Sequence, residues 1–309
     1  MRRRAFLQSA IASAACVTIA REARAMTSEE IAERAQEYQR KALEHFPLKI
    51  VEATGDAALA RWQELKSAGG VSPVVLGESL GNLLDPFGSD APEPPQPVDD
   101  ILRAAASMKF PDDLLKEQRA QEEESIAILK AELAGNPKAK LPIITRSDGV
   151  ATRTLSRDET IAAMLQEHQE PPLGNWPDTP NASMGLTVAS ELLSGKPFPK
   201  VYIGVAPTDD WTTIPAILRW GGWNACPAAE YHVAALRKWR DNYGAELIGL
   251  SFDTMNLRVA IKPKTREEAL ALAREQYIYC SDIIDQGSET YSALAADLIA
   301  NDWWYFWWD

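Results

Sequence analysis

The sequence predicts an α/β (or α+β) protein whose C-terminal part is a mixed β-sheet flanked by helices, behind a helix-rich N-terminal half. Three observations carry this reading. Short apolar runs of strand length recur, as at Ser72-Pro-Val-Val-Leu-Gly77 and residues 201–205. Capping boxes mark helix starts at Thr27-Ser-Glu-Glu30, Ser156-Arg-Asp-Glu159 and Thr265-Arg-Glu-Glu268. The elements of the last hundred residues fall in the order β-α-β-β-α-α-β, which packs helices on a sheet.

Taken in order, the first capping box opens a charged helix that runs to about His45 and stops before Pro47. A compact β-α-β unit follows, with a strand at 48–53, a helix at 57–67 closed by Gly69-Gly70, and a buried strand at 72–77. Residues 85–97 hold five prolines and read as a linker or long surface loop. Helices are expected at 98–107 and 111–134, and the polar run 118–125 reads as a solvated helix face. Strands at 141–145 and 150–155 flank Ser147-Asp-Gly149, a hairpin signal. A helix from the second capping box reaches about His168, and the proline-rich stretch 171–180 is the expected domain border.

Domains are therefore expected at 26–90, 91–180 and 200–309. In the last, Pro227 opens a helix to Tyr243, which Gly244 closes. Strands at 246–251 and 255–261 form a hairpin, the second with Met255, Leu257, Val259 and Ile261 on one face and Asn256 and Arg258 on the other. Helices at 265–280 and 288–300 precede Trp303-Trp-Tyr-Phe-Trp-Trp308. That run is apolar on both faces and reads as a buried central strand.

The first 25 residues read as an address. Arg3-Arg4-Ala5-Phe6-Leu7, an apolar stretch at 10–20 and Ala23-Arg24-Ala25 fit a twin-arginine signal with an A-x-A cleavage site. An ordinary secretory signal and a lipoprotein signal at Cys16 are the alternatives. The expectation is a periplasmic or secreted chain starting at Met26, with no membrane span after cleavage. This leader holds five arginines and one glutamate, so its loss takes the formal charge from −12 to −16. So acidic a chain repels phosphate backbones, which argues against nucleic-acid partners.

The blocks Ile214-Pro-Ala, Gly221-Gly-Trp-Asn-Ala-Cys-Pro227 and Glu230-Tyr-His-Val-Ala-Ala-Leu-Arg-Lys-Trp239 resemble the bacterial domain-of-unknown-function family 4253. So do Tyr243-Gly-Ala-Glu-Leu247, Thr265-Arg-Glu-Glu268 with its helix, Tyr279-Cys-Ser-Asp-Ile-Ile-Asp-Gln-Gly287 and the Trp-rich ending. The resemblance spans about 200–309, and the unit at 55–77 resembles the upstream part of longer members. Ser281 stands where a proline is expected. The resemblance implies a shared fold and no activity. Members mostly look cytoplasmic, so a leader is a departure.

Four constellations are candidates for chemistry. Cys226 and Cys280 are a disulfide, two buried thiols, or a reactive or metal-binding pair. Cys226, just before an expected helix start, pairs with His232 as a nucleophile and base, provided the loop folds back. Asp282 and Asp285, three apart, share a helical face and with Asp209 and Asp210 can hold a hard cation or move protons. Helix capping and turns are their alternative role. Trp211, Trp220, Trp223 and Asn224 lie in one irregular segment where flat rings can stack on a sugar, peptide or partner protein, or else close the core. Eight of the ten tryptophans lie in the last 110 residues.

No nucleophile elbow, phosphate loop, dinucleotide fingerprint or zinc-protease motif occurs, and no cofactor is expected. The leading functional expectation is a non-catalytic binding module of the cell envelope with residues 220–226 as its recognition edge. A hydrolase-like enzyme using Cys226, His232, Asp282 and Asp285 is the alternative, and an assembly protein that oligomerises through 98–134 is a third.

Overall fold

The computed structural model describes residues 46–80, 95–136, 138–141, 152–165 and 169–309, together with positions 40, 43, 44, 83, 143 and 145–147. The leader, the first capping box and most of the proline-rich stretch 85–97 lie outside the described residues. In chain order the elements are β1 (Lys49–Ala53), α1 (Ala58–Ser67), β2 (Ser72–Gly77), α2 (Val98–Ser107), α3 (Asp112–Gly135), β3 (Thr145–Ser147), β4 (Thr152–Thr154) and α4 (Arg157–Leu165). There follow β5 (Val201–Ala206), α5 (Ile214–Leu218), α6 (Ala229–Tyr243), β6 (Glu246–Leu250), β7 (Thr254–Arg258), α7 (Arg266–Tyr279), α8 (Tyr291–Ala300) and β8 (Trp303–Trp307).

The chain divides into two compact units. The smaller holds residues 115–170 and contains most of α3, the β3–β4 ladder and α4. Its α4 starts on a complete capping box: Ser156 Oγ accepts from Glu159 N at 3.3 Å, and Glu159 Oε2 accepts from Ser156 N at 2.9 Å.

The larger unit is a six-stranded mixed sheet in the order β1-β5-β2-β6-β7-β8. β5 runs antiparallel to both β1 and β2, β2 pairs parallel with β6, and β6, β7 and β8 form an antiparallel meander. The β-α-β unit at 48–77 therefore shares its sheet with the C-terminal strands, because β5 slots between β1 and β2. Both central strands β2 and β5 are buried along their whole length. That explains their continuous apolar character.

Side chains alternate between two faces. Val75, Ile203 and Ile248 pack under α1 with Trp62. Val74, Leu76, Tyr202, Leu247 and Leu257 face the larger core, built with α6, α7 and α8. The expected order β-α-β-β-α-α-β holds for β5 to β8, with the short helix α5 added between β5 and α6.

One expectation is corrected. The Trp-rich strand β8 lies at the sheet edge, not its centre. It is apolar on both faces for two separate reasons. Trp304, Phe306 and Trp308 enter the core, while Trp303, Tyr305 and Trp307 stay half-exposed on the opposite face. The alternation of burial shows that hydrophobicity alone did not report this strand's neighbours. The helix expected at 288–300 starts three residues later: residues 283–288 form a π-helical turn before it, and α8 starts after Thr290, whose hydroxyl accepts from Ala293 N at 3.2 Å.

Candidate functional site

The structure does bring Cys226 to His232. The chain after α5 turns through Arg219, Gly221 and Gly222, all with positive φ, and folds back onto α6. Gly221 makes this possible, since a Cβ there would lie 2.1 Å from the Pro227 carbonyl and 2.5 Å from His232 Nε2. The Cys226 Sγ lies 3.5 Å from His232 Nε2, and His232 Nδ1 lies 2.6 Å from the Tyr279 hydroxyl.

This cluster is closed. Cys226 is 4% exposed and His232 and Tyr279 are 0% exposed. Trp220, Trp308 and Tyr279 surround the imidazole at centroid distances of 4.5–5.7 Å. Burial holds the thiol well above its ordinary pKa and pushes His232 down to about 3, so at neutral pH the pair is a thiol and a neutral imidazole. A backbone hydrogen bond with Pro227 offsets only part of the burial effect, and the contact of Nδ1 with the Tyr279 hydroxyl holds the ring in place. A nucleophilic thiolate needs the opposite charges, and a route to substrate. Moreover, α6 starts at Ala229, so Cys226 sits outside its first turn. Burial also raises the Cys280 thiol, which donates to the Trp307 carbonyl at 3.0 Å. Both cysteines are free thiols here.

The remaining expected residues take structural partners. Trp220 is 2% exposed and donates from Nε1 to the Ser251 carbonyl at 2.9 Å. Trp223 is 5% exposed and stacks on Phe252 at 4.9 Å. Trp211 packs against the core from a 3-10 turn. Asn224 donates to the Asp309 carbonyl at 3.1 Å. The segment 220–226 is thus folded into the core rather than presented as an open edge.

Asp210 caps the 3-10 turn at Thr212 and pairs with Arg240 at 3.2 Å, whereas Asp209 is exposed. Asp282 accepts from Asp309 N and from Gln286, and Asp285 accepts from the Tyr277 hydroxyl. The π-turn, bonded i→i+5, removes the α-helical stacking on which a shared Asp282–Asp285 face depends. Among the described residues no group of three or more His, Cys, Asp or Glu side chains converges as a metal site.

The open chemistry lies elsewhere. A cleft of about 290 Å³ sits at the carboxyl ends of the parallel strands β2 and β6. Ligands in α/β sheets characteristically bind outside such strand ends. Its walls come from Gly77 at the end of β2 with Glu78 and Ser79 after it, Ser251–Asp253 in the β6–β7 turn with Thr254 at the start of β7, Tyr305 and Trp307 on β8, and the segment 187–198.

That segment is a strap laid across the sheet. Asn256, fully buried on β7, accepts from Val188 N at 3.2 Å and exchanges hydrogen bonds with the Thr187 hydroxyl. Gly249 leaves the strap room to approach, because a Cβ there would meet Val188 Cγ2 at 2.5 Å and Leu186 Cδ1 at 2.9 Å. Gly55 N anchors the strap's far end on the Phe198 carbonyl at 2.8 Å.

Asp253 is the most elaborated group in the cleft. Its carboxylate accepts from Ser251 Oγ at 3.3 Å, Thr254 Oγ1 at 3.0 Å and Trp307 Nε1 at 3.2 Å. Its backbone carbonyl accepts from Trp308 N at 3.1 Å. These bonds fix the carboxylate and the Trp307 ring together. Burial, then the negative charge of Asp253, pushes Tyr305 up to about 12, so its phenol stays protonated and able to donate.

Sequence reading missed this site because its residues are scattered over four segments with no motif. The available signals were Gly77 ending a buried strand and the polar Ser251–Thr254 turn. No helix among the described residues is long and apolar enough to cross a membrane.

Comparison with known proteins agrees with the resemblance of the C-terminal part. No curated protein and no solved structure matches the chain. Residues 202–309, from β5 to β8, match the family model described as Domain of unknown function (DUF4253), which supplies the β6–β7 and β8 walls of the cleft but neither the β2 end nor the strap.

Proposed function

We propose that this protein is a binding module that takes a small molecule in the cleft at the ends of β2, β6 and β8. The observation that carries the reading is Asp253, a carboxylate locked by three neutral donors at the mouth of two parallel strands. Hydroxyls of Ser79, Ser190 and Thr254 and the faces of Phe252, Tyr305 and Trp307 share its cleft. An apolar wall with a few placed polar groups is the usual make-up of a small-ligand site. The cleft's size suits a ligand near the small end of that range. The site expected at residues 220–226 moves next door: Trp220 and Trp223 support the Ser251–Phe252 backbone and ring from behind. The thiol-hydrolase reading loses its nucleophile, since Cys226 and His232 are neutral and enclosed.

A screen of small polar compounds against protein labelled with ¹⁵N-tryptophan tests this. Binders are expected to shift the Trp307 indole signal, assigned with a Trp307→Phe variant, and to lose binding in Ser79→Trp, which fills the open side. Binders that leave Trp307 unmoved, or that survive Ser79→Trp, overturn the reading, as does a screen without binders.

Export remains part of the proposal. Residues 1–25 carry the arginine pair, apolar stretch and A-x-A site of a cleaved leader. Intact mass of periplasmic material is expected to start at Met26, and a full-length mass in the cytoplasmic fraction alone would sink the idea.

A further inference from the structure

We infer that the cleft selects an organic cation, a small amine or guanidine, over neutral or anionic molecules of the same shape. This rests on the proposed reading of the cleft as a ligand site and names the class of ligand it takes.

The argument starts from charge. Two carboxylates, Glu78 and Asp253, line the cleft, and its lining contains no Lys, Arg or His. Among the described residues no ion pair involves either carboxylate. Acidic side chains elsewhere in this unit do take cations: Asp210 pairs with Arg240 and Arg237, Glu275 with Lys238, and Asp302 with Arg258. Asp253 is instead satisfied by two hydroxyls and an indole, which orient it without neutralising its charge. Oδ1 accepts two of those bonds and Oδ2 only one, so Oδ2 keeps acceptor capacity.

The walls carry the argument further. Phe198, Phe252, Tyr305 and Trp307 line the same cleft as this charge, and the Trp307 indole donates to it. Aromatic faces attract an organic cation through the ring quadrupole, and gain nothing comparable from an anion. The pairing of rings and lone carboxylates also separates an alkylammonium from a bare metal ion, which wants several converging oxygens and no rings. A carboxylate or phosphate ligand would face two like charges with no cationic donor, which is repulsive selection against that class. The acidic balance of the whole chain, −12, draws cations toward the cleft as well.

The test is a matched series added to the full chain at low salt, following the Trp307 indole signal. Putrescine, agmatine, choline and L-lysine are the cations. Butane-1,4-diol is the neutral isostere of putrescine, succinate its anionic counterpart, and calcium chloride the metal control. At least one of the amines is expected to bind ten-fold or more tightly than the diol, with no response to succinate. Glu78→Gln, an exposed change, should weaken the amine about five- to ten-fold, and added sodium chloride should weaken it further. Asp253→Asn should lose it, with Glu78→Gln covering the case in which that variant unfolds. Diol or succinate binding as tightly as the amines, or calcium alone binding, would overturn the cation assignment while leaving the cleft a ligand site. Silence from all four amines also overturns it. The cleft reading itself falls only if the broader screen is silent too, so the two failures are told apart.

Discussion

Two polar clusters flank the same end of the sheet, and they are opposites. The Cys226–His232–Tyr279 cluster has the residue types of a catalytic site, yet it is buried, neutral and walled by Trp220 and Trp308. The Asp253 cleft has no catalytic signature, yet it is open, charged and edged by rings. The difference teaches that residue type proposes chemistry while desolvation decides it. A thiol and an imidazole 3.5 Å apart become a packing pair once both are stripped of water, because neither can bear its charge. A carboxylate keeps functional potential where it is held by protein donors and still lines a cleft.

The largest effect that would sharpen this contrast is at Gly221. Its φ of 104° and the 2.1 Å approach to the Pro227 carbonyl leave no room for a side chain. Gly221→Ala is expected to cost on the order of 4 kcal/mol, enough to make the protein aggregate or unfold at low urea. A variant with wild-type unfolding would mean that the fold-back over His232 is not tight. Because this change strikes the closed cluster, it should abolish folding rather than any one activity.

A smaller effect follows from the buried imidazole. His232 has a folded pKa of about 3 against 6.5 for an exposed histidine. Between those values the unfolded chain binds a proton that the folded chain does not, so stability is full above pH 6.5 and falls as the pH drops toward 3. The slope approaches about 1.4 kcal/mol per pH unit for one proton. From pH 7.0 to 5.5 the urea-derived stability should drop by about 1 kcal/mol from this group, and His232→Gln should remove that part of the dependence. If wild type and variant share the same pH profile, the imidazole is solvated and the contrast between the clusters fails.

Much of this was legible beforehand, for identifiable reasons. The strands β2, β5, β6 and β7, the helices α6 and α7, and the Thr265 cap follow from local pattern, and local pattern is what a sequence displays. The insertion of β5 between β1 and β2 is a non-local pairing, invisible to periodicity. The edge position of β8 was hidden because ring-rich faces arise from a core on one side and a cleft on the other. The strap 187–198 carries only a 3-10 turn at Thr187–Ala189 and a bridge from Ser190 to Pro197, and it is held by Asn256 and by the space that Gly249 leaves. Asn256 was visible only as a polar residue on the outward face of a strand. Its burial comes from a segment nearly seventy residues away in the chain.

The smallest effect on stability, and the sharpest comparison, comes from thiol accessibility. Cys226 and Cys280 are buried with raised pKa values, so two factors oppose alkylation: little thiolate and no path for the reagent. In the native protein iodoacetamide should modify them only through opening of the core, at a rate at least a thousand-fold below that of the urea-unfolded chain. Ser79→Cys places a thiol at an exposed position of the cleft lining. That introduced thiol should react at nearly the rate of an unstructured peptide, and peptide mapping separates it from the two native ones. Fast native labelling of Cys226 would reverse the assignment of the two clusters and return the thiol–imidazole pair to the candidates for catalysis. Slow labelling of the introduced thiol would instead show that something covers the cleft, and would place its ligand behind a barrier that must open first.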